Sequence, residues 1–175
     1  MGAAADFYRR ELKDLGIGEP APEIEGTDLD GRPMRLSEYR GKVVAIYFCG
    51  PLQLNTEATG QSAVITERLR SLAMNHASDS FALLGVSTLN PGRMIERESF
   101  RTSLEASGLP ARFWWDIAPD GKPGPIQTGW NARIDFYLLD HRGVIRFKHG
   151  YRPEILEKAI TTLLKEQKDE LGRPK

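Results

Sequence analysis

The chain has 175 residues, which is enough for one domain with a sizeable core and too few for two ordinary domains. Lys and Arg number 24, as do Asp and Glu, so the formal net charge is zero and the basic excess of a nucleic-acid-binding protein is missing. No apolar run is long enough to span a membrane, and the N-terminus lacks the apolar core of a signal peptide. We therefore expect a cytoplasmic protein as the sequence is written, or a domain of a longer or exported one.

The cysteine and histidine content argues against two kinds of site. Cys49 is the only cysteine, which excludes an internal disulfide and a cysteine-rich metal site. The histidines, His76, His141 and His149, are far apart in the sequence and do not have the spacing of metal ligands. The sequence therefore predicts neither a metal site nor a cofactor.

The first third of the chain predicts a short helix, a hairpin and a buried strand. Residues 6–15 can form the helix. Two strand-like pieces, around Ile24 and around Met34–Leu36, flank the turn signal Asp30-Gly31. The run Val43–Phe48, VVAIYF, is continuously apolar, which is typical of a central strand covered on both faces.

Helices and strands then alternate to the end of the chain. A helix after the loop at 49–60 has apolar residues at helical spacing, namely Val64, Ile65, Leu69, Leu72 and Ala73. FALLGVST reads as a second buried strand, and the following helix ends at Gly108. DFYLLD and VIRFKH form a hairpin. Pro153 opens a last helix whose apolar face comprises Ile155, Leu156, Ala159, Ile160, Leu163 and Leu164.

This order, a hairpin followed by β-α-β-α-β-β-α, predicts an α/β protein. Strands separated by helices pair in parallel through right-handed crossovers, and the closing hairpin adds an antiparallel edge. The expected architecture is a thioredoxin-like fold: a central mixed sheet with helices on both faces and an N-terminal β-hairpin. We expect a helix or linker over residues 1–17, the domain over 18–168 and a tail over 169–175.

Several segments resemble the redoxins, a thioredoxin-like group that includes TlpA-type thiol-disulfide oxidoreductases and AhpC/TSA peroxiredoxins. The resemblance runs from Gly18 to Leu164. Its clearest parts are GEPAPEIEGTDLDGRPMRLSEYRGKVVAIYF, FALLGVST, FWWD and GPIQTGWNARIDFYLLDHRGVIRFKHG. Several segments agree in order and in spacing, so the resemblance is specific to the fold.

The resemblance implies a Cys-x-x-Cys turn at the start of the helix that follows the central strand. A helix N-terminus there favours the thiolate of the first cysteine, and the second cysteine resolves the mixed disulfide. Here Cys49-Gly50-Pro51 is followed by Leu52. Counting back from the next helix places the expected pair at Thr56 and Thr59, which have the right spacing but lack thiols.

The peroxiredoxin pattern P-x-x-x-T-x-x-C leads to the same two threonines. Thr56 follows Pro51 one residue too late, and Thr59 stands where the peroxidatic cysteine is expected. Arg133 is the candidate for the arginine that steadies the thiolate, one position further from Asp140 than the family pattern. The segment WNARIDFYLLD lacks the proline that such enzymes carry in cis before this strand, so a trans loop is expected.

Two interpretations of Cys49 stay open at this point. It is a small buried residue at a strand end, or a nucleophile that Gly50-Pro51 exposes. The leading function is a thiol-disulfide oxidoreductase or peroxidase-like redoxin with at most a single-thiol mechanism, acting on a thiol, disulfide or peroxide with an external reducing thiol. The alternative is a catalytically silent thioredoxin-like binding or scaffold domain. A nucleotide-binding domain is disfavoured because neither strand is followed by a glycine-rich phosphate loop.

Overall fold

A computed structural model describes residues 15–54, 61–76, 80–88, 96–130, 136–149 and 152–172. The strands are β1 (Glu25–Thr27), β2 (Pro33–Arg35), β3 (Val43–Cys49), β4 (Phe81–Ser87), β5 (Arg112–Trp114), β6 (Phe136–Leu139) and β7 (Ile145–His149). The helices are α1 (Pro51–Leu54), α2 (Gln61–Asn75), α3 (Arg97–Ser107), α4 (Pro125–Gly129) and α5 (Pro153–Leu171), together with a 3-10 turn at Leu36–Tyr39.

A five-stranded mixed sheet of order β5-β4-β3-β6-β7 forms the centre of the protein. β3 pairs in parallel with β4, and β4 with β5, as expected for strands joined through helices. β6 runs antiparallel to both β3 and β7. The predicted position of VVAIYF between FALLGVST and DFYLLD is therefore confirmed, as is the mixed sheet.

The central strand is covered on both faces because its side chains alternate between two apolar clusters. Val43, Ala45, Tyr47 and Cys49 belong to one cluster, which we call the helical face because α2, α3 and α5 pack there through Leu69, Phe100, Leu156 and Ile160. Val44, Ile46 and Phe48 belong to the other cluster, which the N-terminal segment and α4 cover. Helices thus lie on both faces, but unequally.

The N-terminal segment crosses the second face from one sheet edge to the other. Gly18 donates its backbone N–H to the carbonyl of Ile145 in β7, and Ile145 in turn donates to Glu19. Further along, β1 and β2 form the predicted antiparallel hairpin. Trp115, just past the opposite edge strand β5, donates its N–H to the carbonyl of Thr27.

Three short elements were not predicted, and two apolar residues expected on core-facing surfaces are exposed. β5, α1 and α4 have three to five residues each, too few for a hydrophobic period to show. Val64 and Ile155 were expected on core-facing helix surfaces, but both are exposed. The predicted helix at 6–15 lies almost wholly outside the described residues. α5 continues to Leu171, and the proposed domain boundaries stay predictions.

Candidate thiol site

Cys49 is the last residue of the central strand. It therefore lies at the carboxyl ends of the parallel strands β3 and β4. Its in-register partner is Ser87, the last residue of β4, and its carbonyl accepts the N–H of Thr88 at 2.8 Å. The carboxyl ends of parallel strands are the usual position of functional groups in α/β sheets. The single thiol therefore lies at the end of the sheet where functional groups are expected.

The thiol is buried rather than exposed. Cys49 has 0 % of its surface accessible and belongs to the helical-face cluster with Leu54, Tyr47 and Phe100. Gly50 is also buried, and the chain enters α1 at Pro51. Gly50-Pro51 therefore turns the chain into a short helix and leaves the thiol covered, which agrees with the first of the two interpretations of Cys49, a small buried residue at a strand end.

The other predicted site residues lie outside the described part of the chain. Thr56 and Thr59 fall in the gap at 55–60, and Arg133 falls in the gap at 131–135. The loop expected to be trans in place of a cis-proline falls in the same gap as Arg133. The role of each of these residues stays a prediction.

Ser87 and Asp116 form a buried polar network beside Cys49. The backbone N–H of Asp116 donates to Ser87 Oγ at 2.9 Å. The Asp116 carboxylate accepts the backbone N–H groups of Ile126 at 3.0 Å and Gln127 at 2.6 Å, and its carbonyl accepts Gln127 Nε2 at 2.6 Å. Ser87 was not predicted as a site residue, because its position next to Cys49 depends on strand register.

Asp116 is more than the turn residue that the sequence indicates. Burial raises the pKa of its carboxyl group, and the hydrogen bonds from Gln127 and Ile126 oppose that rise only in part. The carboxylate caps the short helix α4 from a distant part of the chain. It therefore fixes the backbone on the side of Ser87 that faces away from Cys49.

Two of the three histidines are too far from the thiol to serve as its base. His76 packs on Phe81, the first residue of β4, which lies at the opposite end of the strand from Ser87 and Cys49. His141 follows β6, whose last residues lie beside the start of β3, so it is at that same far end of the strands. Its carbonyl accepts the N–H of Gly41, and its Nε2 lies 3.2 Å from Glu170. The side chain of His149 lies outside what the structure describes.

The tryptophans pack as structural residues. Trp114 is fully buried and donates Nε1–H to the carbonyl of Met34 at 3.0 Å. Trp130 packs edge-on against Tyr137, with ring centroids 5.0 Å apart. Trp115 is partly buried under Arg97, whose guanidinium lies 5.4 Å from the ring centroid.

A separate cleft of about 180 Å³ lies between the N-terminal hairpin and α3. Both of its arginines already have carboxylate partners. Arg112 donates to Asp28 through Nε at 2.9 Å, with Nη2 2.8 Å from the same oxygen, and Arg101 pairs with Asp30. These ion pairs connect the N-terminal hairpin to α3 and β5, and the cleft offers no unpaired arginine for an anion.

Within the described ranges, no three His, Cys, Asp or Glu side chains are grouped so that they could hold a metal ion. In the same part of the chain, no helix is both long and apolar enough to cross a membrane.

Comparison with known proteins identifies the family. Residues 17–148 match the AhpC/TSA family. No curated protein sequence matches the chain. Among solved structures, the thioredoxin domain of a thiol-disulfide oxidoreductase from Bacteroides vulgatus has a TM-score of 0.61 and 19% identity, over 84% of this chain and 97% of that domain.

Two thiol:disulfide interchange proteins are similar to the same degree. The one from a Bacteroides species has a TM-score of 0.60 and 20% identity, over 85% of this chain and 90% of that protein. The one from Chlorobium tepidum has a TM-score of 0.59 and 15% identity, over 83% and 95%. At such identities the likeness establishes the fold alone, whereas the family match spans most of the sequence. The chain therefore belongs to the AhpC/TSA family of redoxins and has a thioredoxin-like fold.

Proposed function

We propose that this protein is a redoxin-type thiol oxidoreductase that reacts through the single thiol of Cys49. The observation that carries the proposal is the position of Cys49 at the carboxyl end of the central strand. Functional groups in α/β sheets usually lie at the carboxyl ends of the strands. Membership of the AhpC/TSA family supports thiol chemistry at such a position.

One thiol limits the reaction to a simple cycle. With a peroxide, the Cys49 thiolate attacks one oxygen, the O–O bond breaks, the sulfur becomes a sulfenic acid and the other oxygen leaves as an alcohol or water after taking a proton. An external thiol condenses with the sulfenic acid, which releases water and leaves a mixed disulfide. A second external thiol attacks that disulfide, so the two external thiols leave joined and Cys49 is reduced again.

With a disulfide substrate, the thiolate attacks one sulfur and the other sulfur leaves as a thiolate. The resulting mixed disulfide again needs an external thiol, because the chain has no second cysteine to resolve it. The protein's partners in this proposal are a peroxide or disulfide and a small or protein-borne reducing thiol.

The reaction is slow in this proposal because Cys49 is buried. Its thiolate must form in an apolar cluster, which disfavours the charged state, and the side chains that cover it must first move aside. The two histidines with described side chains lie at the opposite end of the strands and are too far away to take the proton of Cys49. We expect some thiol reactivity and no fast peroxidase activity.

The test combines alkylation and oxidation of the native protein. The rate of Cys49 alkylation is measured against pH, and oxidation by hydrogen peroxide is followed by stopped flow in wild type, Cys49→Ser and Arg133→Ala. We expect measurable alkylation below the unfolding transition and peroxide rates no higher than those of a free thiol, whose pKa is about 8.5. Cys49→Ser abolishes both signals.

Two other outcomes would change the assignment. Peroxide rates far above those of a free thiol, lost in both variants, would make the protein a true peroxidase with Arg133 at its site. A Cys49 that reacts only after global unfolding would overturn the proposal and leave the binding or scaffold domain as the function. Complete burial of the thiol in the described structure is what favours this second outcome over fast catalysis.

A further inference from the structure

Ser87 and Cys49 are side-by-side neighbours on one face of the sheet. They are in register in the parallel pair of β3 and β4, and residues in register on adjacent strands project to the same side. Cys49 belongs to the helical-face cluster with Leu83, which precedes Ser87 by four residues and therefore lies on its face. Ser87, like Cys49, has 0 % of its surface accessible.

The hydroxyl of Ser87 has a proton that no described residue accepts. A serine hydroxyl offers one donor and two acceptor lone pairs. The described hydrogen bond uses one lone pair, for the N–H of Asp116 at 2.9 Å. A buried donor without an acceptor costs free energy, so an acceptor is expected nearby in at least one state of the protein.

Cys49 is the in-register neighbour of Ser87 across the strand pair, which makes its sulfur the candidate acceptor for this hydroxyl. A thiol sulfur accepts hydrogen bonds weakly, whereas a thiolate is charged and accepts them strongly. The hydroxyl proton therefore has little to gain from the neutral thiol and much more to gain from its ionised form. This difference between the two states is what selectively stabilises a thiolate.

The network behind Ser87 holds the hydroxyl in place for that role. Asp116 is fixed through its carboxylate by Ile126 and Gln127, and through its carbonyl by the N–H of Gly124 at 2.8 Å. Its own N–H consequently occupies a fixed position and binds one lone pair of Ser87 Oγ. A donor that is already oriented does not have to reorganise when charge develops.

We infer that Ser87 is a positioning residue for the Cys49 thiolate, to which its buried hydroxyl donates a hydrogen bond when the thiol ionises. This inference rests on the proposed function, because it concerns the same thiol. It gives a role in the reaction to a residue of β4, which lies outside the Cys49-Gly50-Pro51 turn. The hydroxyl partly offsets the penalty of forming a charge inside the apolar cluster.

The test compares pH profiles of Cys49 alkylation by iodoacetamide in wild type, Ser87→Ala and Ser87→Thr. We expect Ser87→Ala to move the midpoint up by about one pH unit, since a hydrogen bond to the charged form favours ionisation. At a fixed pH below both midpoints, the rate falls about ten-fold, because one pH unit changes the thiolate fraction ten-fold. Ser87→Thr keeps the hydroxyl and returns the midpoint towards that of wild type.

Ser107→Ala is the matched control. Ser107 is also a buried serine, and it donates to the carbonyl of Leu104 at 2.6 Å and accepts the N–H of Leu109. Ser107 is the last residue of α3, so this variant loses comparable hydrogen bonds without a change beside the thiol. It is expected to lower the melting temperature without moving the midpoint, which separates loss of stability from loss of the donor.

A second measurement on wild type does not depend on the variants folding. The NMR signal of the Ser87 β-carbon should titrate with the same midpoint as Cys49, and that of Ser107 should not. A reactive wild-type thiol whose midpoint is unchanged in Ser87→Ala, or a Ser87 signal that does not titrate, overturns the role of Ser87 alone. A wild-type thiol that never reacts in the folded protein overturns the proposed function and, with it, this inference.

Discussion

Gly85 provides the space that the aromatic ring of Phe113 occupies on the helical face. A Cβ atom added at Gly85 would lie 2.1 Å from a carbon of that ring, far inside van der Waals contact. The two residues are in register between β4 and β5, so the ring crosses directly over the glycine. Gly85 lies two residues before Ser87 along β4, on the same face of the sheet.

We predict that Gly85→Ala destabilises the protein by about 1–3 kcal/mol, because a well-packed core cannot absorb an added methyl group without strain. Chemical denaturation measures the change in the free energy of unfolding. Gly129→Ala is the matched control, since a Cβ there would have nothing within 4 Å, and its effect should stay within about 1 kcal/mol.

A double-mutant cycle with Phe113→Leu tests the cause. If the ring is the obstacle, the smaller side chain relieves part of the strain, and the two substitutions are non-additive by about 1 kcal/mol or more. Additive effects of Gly85→Ala and Phe113→Leu would show that the strain arises elsewhere.

Asp140 is a buried carboxylate whose charge the β6–β7 turn stabilises. Burial by itself would raise its pKa, but hydrogen bonds from the Val144 N–H, Arg146 and the Arg142 N–H outweigh burial and lower it below its ordinary value of 3.8. A carboxyl group whose pKa is lower in the folded state contributes stability above the unfolded value. That contribution is lost as pH falls through the folded value.

We predict that Asp140→Asn costs about 1–3 kcal/mol at neutral pH, because it sets an amide N–H₂ against the Arg146 guanidinium. The difference from wild type should be constant above about pH 5 and should shrink as the pH falls below 3.8. Urea unfolding at a series of pH values measures it.

Asp169→Asn, which changes an exposed carboxylate on α5, serves as the control and should shift stability little at any pH. A cost of Asp140→Asn that is the same at pH 3 as at neutral pH would contradict an ionic role for Asp140.

The sequence identifies Cys49 as the candidate thiol but cannot reveal its surroundings. Its depth depends on side chains distant in sequence, such as Leu54 and Phe100, which join it only once α1 and α3 have packed. Ser87 could not be predicted as a site residue for a related reason. A serine at a strand end carries no functional signal until the strand register is known to place it beside a thiol.

At the level of whole elements, α5 shows how a periodic pattern fixes a helix but leaves its rotation uncertain. The predicted apolar face contained two isoleucines, and the structure separates them: Ile160 has 0 % of its surface accessible, whereas Ile155 has 46 %. Three of the helix's apolar side chains, Leu156, Ile160 and Leu163, reach the core. Residues at the border of an apolar stripe point either way, and only packing decides between them.

The two isoleucines give a matched test of this packing. We predict that Ile160→Ala costs about 2–5 kcal/mol, because it leaves a cavity in the helical-face cluster. Ile155→Ala should cost far less, about 1 kcal/mol or below, since it truncates a side chain that is about half exposed. Equal costs for the two variants, measured by denaturant unfolding, would contradict the orientation of α5.

The long elements could be predicted because their signals are continuous, and the short ones could not. Seven apolar residues from Val43 to Cys49 allow little besides a buried strand, and the structure shows one. β5 has three residues and takes its strand conformation from pairing with β4, which is a tertiary effect. α4 has a proline at its start, but its ordering comes from the distant carboxylate of Asp116.

For the molecule as a whole, a thioredoxin-like fold is combined with a single cysteine. The sheet order and its family membership agree with the thioredoxin-like class. Catalytic reduction of disulfides nevertheless needs a second thiol to release the mixed disulfide quickly. The chain contains none.

We therefore predict that this protein by itself does not catalyse the reduction of insulin disulfides with thioredoxin reductase as the only electron source. Turbidity of the released insulin chains measures the reaction. A dithiol thioredoxin provides the positive control and Cys49→Ser the blank. Sustained turnover by the wild-type protein, absent from the blank, would show that one thiol suffices.

The N-terminal segment has a consequence for how other chains can approach the sheet. At the β7 edge, Gly18 and Glu19 occupy the outward N–H and carbonyl of Ile145, and Pro20, which has no N–H to offer, lies against Val144. At the β5 edge, Asp28 forms a bridge with Trp114. One segment thus closes both margins of the sheet at these positions, where an extended peptide would otherwise add as a further strand. A partner that meets the protein there must recognise side chains, because the backbone is already taken.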